Sequence, residues 1–128
     1  MDLGIAGKAA IVVGGSKGIG QAISLELGRE GCRVVVVAQQ QDAIDETVAA
    51  IRTAGGTAIG MSGDMTDKEA IARVVADARA AFGDIDIGVF NTDAMGRARF
   101  EDATDDIYLT FFRTYALAYG WFAQQLLP

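Results

Sequence analysis

Histidine is absent from the 128 residues, and proline and cysteine occur once each. Without an imidazole the chain lacks the commonest metal ligand and the usual base at neutral pH, which excludes zinc sites and serine-histidine chemistry within it. The lone Cys32 has no partner for an internal disulfide. Basic clusters are missing too. Eleven Lys and Arg stand against seventeen Asp and Glu, a net charge of -6, and no track of cations is offered to a polyanionic backbone. Nucleic acid is therefore not an expected partner. No apolar stretch reaches the roughly 18 residues needed to span a bilayer. The opening "MDLGIAG" carries an acid where a secretory leader carries basic residues. The expectation is a soluble, cytoplasmic protein with no membrane partner.

What is abundant is apolar surface and glycine: 51% hydrophobic residues and sixteen glycines. That content suits a single globular domain with many short strand-to-helix turns. A β-branched run from Lys8 to Val13 is followed by "GGSKGIG" and then by Ile19, Ala22, Ile23 and Leu27 at helical spacing. "RVVVVA", Arg33 to Ala38, is continuously apolar after its first residue, as a strand buried on both faces requires. A second helix is predicted from Asp42 to Ala54, stopped by Gly55 and Gly56, with "TAIGM" as a third strand. Thr66 with Glu69 three residues later predicts a capping box opening a helix through Ile71, Val74, Val75 and Ala78. "IDIGVF", Ile85 to Phe90, reads as a fourth strand and "NTDAMGRARFED" as a polar loop.

A last helix is predicted from Thr104, with Asp105 and Asp106 in its first turn. Its Tyr108, Phe111, Tyr115, Tyr119 and Phe122 recur at helical spacing and are assigned to core packing, since such stripes usually are core. Leu117, Trp121 and Leu126 fall off that face, which makes the helix apolar on two sides and consistent with an oligomer. The order β-α-β-α-β-α-β-α, with right-handed crossovers, implies an α/β fold: an open, doubly wound parallel sheet of strand order 3-2-1-4.

The stretch "VVGGSKGIG" lies between a predicted strand and a predicted helix, the context in which a glycine turn holds a dinucleotide pyrophosphate. Its spacing, Gly14-x-x-x-Gly18-x-Gly20, resembles the TGxxxGxG signature of the short-chain dehydrogenase/reductase family, a Rossmann-like fold. Asp64 followed by "MTD", "IDIGVFNTD" against the family's "IDILVNNAG", and "FEDATDDIY" extend the likeness along the chain. The resemblance places Gly14, Ser16, Lys17, Gly18, Ile19 and Gly20 at the cofactor phosphates, Asp64 and Met65 near the adenine, and Asn91 near the ribose. It implies an NAD(P)-dependent oxidoreductase moving hydride between nicotinamide and a carbonyl or alcohol of a small-molecule substrate.

The departures are specific. Val13 stands for the family's threonine, Asp93 for a glycine, and Tyr115 aligns with the family's fourth-helix asparagine. A ribose-binding acid about 20 residues after the glycine turn marks NAD enzymes, yet that region reads Ala38-Gln39-Gln40. With no acid there, and with Lys17 resembling the basic residue of NADP-preferring members, NADP is favoured over NAD and Gln39 is the candidate ribose contact. None of Tyr108, Tyr115 and Tyr119 has a lysine four residues on; the last lysine is Lys68 and the last serine Ser62. The family's catalytic tyrosine, lysine and serine are thus not found, and "AQQLLP" falls where the family continues with three more strands. The expected protein is a truncated, cofactor-binding portion that pairs with a missing C-terminal segment or forms a homo-oligomer. The alternative is a non-catalytic nucleotide-binding or protein-interaction module of the same fold.

Overall fold

The computed structural model describes residues 1–93 and 98–128. Residues 94–97, within the predicted polar loop, lie outside the described residues. Four strands, β1 (Ala9–Val13), β2 (Arg33–Ala38), β3 (Thr57–Ser62) and β4 (Ile87–Phe90), alternate with α1 (Gly18–Arg29), α2 (Gln41–Thr53) and α3 (Lys68–Phe82). All strand pairs are parallel, in the order β3-β2-β1-β4, with Val13 in register with both Val37 and Phe90. This is the doubly wound order that the element pattern predicts.

Period-two alternation along β1 and β2 divides the core between the two faces of the sheet. Ile11, Val13, Val35 and Val37 point to one face, against Ile71, Val74, Val75 and Ala78 of α3. Ala10, Val12, Val34 and Val36 point to the other, against Ile44, Val48 and Ile51 of α2, with Ile23 and Leu27 of α1 at the margin. Each fully buried valine or isoleucine contributes about 1.5–3 kcal/mol relative to exposure, so the paired runs are the main source of cohesion. Weak β3 still pairs with β2 along its whole length, and Gly60 lets α2 approach it closely: a Cβ there would stand 2.3 Å from Ile44 Cγ2.

Three local readings are corrected. The N-cap of α3 is Asp67, whose carboxylate accepts from Ala70 N at 3.0 Å, and not Thr66. Thr66 turns back instead: its N–H and hydroxyl both donate to Asp64 Oδ1, at 2.9 and 2.7 Å. The fourth strand begins at Ile87 because Asp86 turns its carboxylate to Ala9 N and Lys8. Lys8 itself, with its side chain in that ion pair, precedes β1.

The last helix is continuous in path but not in type: α4 (Asp105–Phe112), capped by Thr104, passes through a π-turn (Arg113–Leu117) into α5 (Ala118–Leu126). Of its aromatic stripe, Phe122 is core and Phe111 is half-buried, whereas the three tyrosines are not core. Thr114, Ala118 and Phe122 face inward, while Tyr108, Phe112, Tyr115 and Tyr119 are 51%, 56%, 50% and 55% exposed. Trp121 and Leu126, expected off the packed face, lie against the core. Close seating on β4 selects this face: a Cβ on Gly88 would stand 2.2 Å from Leu126 Cδ1 and 3.1 Å from Phe122 Cε1. Among the described residues no helix is long and apolar enough to cross a membrane.

Candidate functional site

The carboxyl ends of β1, β2, β3 and β4 and the loops that follow them open onto one cleft of about 460 Å³. The order of the strands reverses between β1 and β4, and an open sheet presents its ligand crevice at that switch point. After β1 the chain is tied back by Gly14 N and Gly15 N, which both donate to Val37 O, at 2.8 and 3.1 Å. Asn91 N donates to Val13 O at 3.0 Å, so β2 and β4 clamp the turn from either side.

Gly14, Ser16, Lys17 and Gly18 of the turn line the cleft with Gln39, Asp64, Met65 and Asn91. Eight of the ten residues singled out from sequence are thereby brought to one cleft. Ile19 and Gly20 are not. Ile19 is 72% exposed beyond the rim, and Gly20 is buried beneath the turn, where a Cβ would stand 1.9 Å from Gly14 O. Gly20 therefore serves helix-to-turn packing. Met65 is buried and shows the cleft only an edge, its body belonging to the core beneath α3. Asp64 spends one carboxylate oxygen on Thr66, the turn role its residue type suits.

Other supports had no signal in the glycine motif. Ser24 Oγ, fully buried, lies 3.0 Å from both Gly15 O and Gly20 O and ties α1 to the turn. Thr47 Oγ1 of α2, also buried, lies 2.9 Å from Ala43 O and 3.4 Å from Ser16 O, and accepts from Gln21 Nε2 of α1 at 3.1 Å. A serine one helical turn after Gly20 is the single hint in the sequence; Thr47 had none, being 31 residues from Ser16.

Two observations bear on whether a phosphorylated, hydroxyl-bearing ligand fits. Gly18 has φ +52 and nothing within 4 Å of where a Cβ would stand, so the turn leaves open space beside its N–H at the amino end of α1. An anion is favoured there by the free N–H groups and the helix dipole. Across the cleft, Thr92 Oγ1 is buried without a hydrogen-bond partner among the described residues, and a buried hydroxyl ordinarily has one. Among the described residues, the charged ones lining the cleft are Lys17, Asp64 and Asp93. Lys17 Nζ donates to Gln40 Oε1, which draws the ammonium toward the end of β2. Asp93 Oδ1 accepts from Tyr115 Oη at 2.9 Å.

Residues 8–128 match the short chain dehydrogenase family. The chain belongs to that family. Among its curated relatives, elsinochrome reductase 1 of Elsinoe fawcettii is 37% identical over 112 residues, spanning 87% of this chain and 41% of the relative. Versicolorin reductase 1 of Aspergillus parasiticus is 35% identical over 84% of this chain and 41% of its own length. L-sorbose reductase of Gluconobacter frateurii, solved with NADPH and L-sorbose, superposes with a TM-score of 0.91 at 31% identity. That match covers 98% of this chain and 48% of the reductase. The chain spans about two fifths of the length of the curated short chain dehydrogenases it matches. Their shared oxidoreductase family accounts for the glycine turn and for the strand order.

Proposed function

We propose that this chain binds a nicotinamide dinucleotide, with NADP preferred over NAD, as the cofactor-holding part of an oxidoreductase acting on a small carbonyl or alcohol. The observation that carries the reading is the gathering of the glycine turn, Gln39, Asp64 and Asn91 at the switch point of the sheet, with open space at Gly18. The turn and the amino end of α1 receive the pyrophosphate, Asp64 and Met65 border the adenine, and Asn91 lies on the ribose side. When bound, the nicotinamide supplies the hydride acceptor or donor. The protein's part is to orient it and to exclude water.

Preference for NADP rests on charge. No acid follows β2 at Gln39 and Gln40, and Lys17 is drawn to that strand end by Gln40. A 2′-phosphate there meets an ammonium and two amides and no carboxylate. The relative solved with NADPH supports the same assignment.

Within these 128 residues no tyrosine is followed four residues on by a lysine. We therefore assign to this chain binding, and not proton donation, so a non-catalytic nucleotide-binding role is the second reading. The exposed aromatic face of α4 and α5 is proposed as a contact with a second copy or with further segments of the protein. Large contiguous apolar patches of this kind mark interaction sites.

Titration of the chain with NADPH and with NADH, followed by calorimetry, tests the assignment. Saturable binding of both with NADPH tighter is expected; binding of neither overturns it.

A further inference from the structure

Asp93 is a carboxylate held in place at a position where charge has consequences. It follows β4, lines the cleft, and is fixed by Tyr115 Oη at 2.9 Å from the π-turn between α4 and α5. Single π-turns inside α-helices are frequent at functional sites. The other charged residues of the cleft, Lys17 and Asp64, lie on the opposite side, in the turn after β1 and in the loop after β3. Among the described residues that line the cleft, Asp93 is therefore the one charged side chain contributed by the segment after β4.

A dinucleotide spans that switch point with one mononucleotide on each half of the sheet. On the reading proposed above, on which this inference rests, the adenosine occupies the β1-β2-β3 side and the nicotinamide the β4 side. The oxidised nicotinamide ring carries a positive charge and the reduced ring none; the phosphates are the same in both. We propose that the Tyr115-held carboxylate of Asp93 makes the cleft distinguish the redox states of the cofactor, favouring the oxidised form. By linkage, a site that holds the oxidised form more tightly makes the bound reduced cofactor the stronger hydride donor, a bias toward reduction of a carbonyl over oxidation of an alcohol.

The ratio of affinities isolates the effect. Repulsion between Asp93 and the phosphates is common to both forms and cancels, whereas attraction to the ring is present in one form only. Asp93→Asn keeps an acceptor for the Tyr115 hydroxyl and removes the charge. Tyr115→Phe keeps the charge and removes its tether.

The experiment is calorimetric titration of the unsubstituted chain, Asp93→Asn and Tyr115→Phe with NADP+ and NADPH at low and high salt. In Asp93→Asn the preference for NADP+ is expected to fall roughly three- to tenfold, the scale of one charge pair across a solvated cleft. Tyr115→Phe is expected to lower it less and in the same direction, and high salt to shrink all differences. If both forms bind every variant and Asp93→Asn leaves the ratio within about twofold, a change too small for a charge pair in the cleft, the inference is overturned alone. If neither form binds the unsubstituted chain, the dinucleotide reading falls and the inference with it.

Discussion

Gly20 lies against Gly14 so closely that a Cβ on Gly20 would stand 1.9 Å from the Gly14 carbonyl oxygen. The first turn of α1 and the end of β1 are therefore in contact through backbone alone. Ser24 seals the same junction by reaching the carbonyls of Gly15 and Gly20. Gly20→Ala forces one of these elements to shift, at a cost of about 1–3 kcal/mol by the measure of other overpacked sites. A lower urea midpoint with weakened dinucleotide binding is expected; unchanged stability would mean the turn yields freely.

Gly18→Asp separates binding from folding. Its Cβ meets nothing within 4 Å, so the cost to the fold is confined to the left-handed backbone, about 1 kcal/mol for an aspartate. The new carboxylate stands in the space assigned to the pyrophosphate. Circular dichroism close to that of the parent chain, with no calorimetric signal for NADPH, is the expected pair of results. Retained affinity would move the phosphates out of this turn.

Gln39→Arg bears on the ribose. Gln39 lines the cleft at the end of β2, beside the strand end toward which Gln40 draws Lys17. A guanidinium forks onto a phosphate where an amide cannot, so the ratio of NADPH to NADH affinity is expected to rise about tenfold, one well-made charged contact. A constant ratio would place the ribose elsewhere.

Asp86 gives the fold an acid sensitivity. Its carboxyl is held below the usual carboxylate range first by the hydrogen bond from Ala9 N, then by Lys8. A depressed folded value means that the contribution is present above the unfolded value and lost as pH falls through the folded one. Unfolding midpoints of the parent chain are expected to drop on acidification below about pH 4, the ordinary carboxylate range. Asp86→Asn should be less stable at neutral pH and should flatten that dependence. Parallel curves for the two chains would show that Asp86 carries no part of it.

The aromatic face can be tested by size. If Phe112 and Tyr119, each more than half exposed, meet a second copy, replacing both with serine should shift sedimentation toward the monomer at a given concentration. Burial of two such rings is worth several kcal/mol in an interface, so the shift in dissociation constant should exceed about a hundredfold. An identical sedimentation profile would leave the face to some other partner.

Strand runs, glycine turn and element order were legible because each depends on neighbours in the chain. "RVVVVA" has no polar side to show to water, and "GGSKGIG" between strand and helix allows few backbone paths. From those local patterns and the handedness of crossovers came the parallel sheet and its 3-2-1-4 order. Tertiary structure decided what local pattern leaves open. Asp67 caps α3, while Thr66 turns back to Asp64. Thr47, 31 residues from Ser16, lies against the turn and accepts from Gln21 of α1. The last helix presents two apolar faces, and periodicity is equal for either. Phe122 and Leu126 seat on β4 over Gly88, and with Thr114 and Ala118 also buried, Tyr108, Tyr115 and Tyr119 are left exposed. Periodicity reports that a helix has an apolar face; only the shape of what it meets selects which face is buried.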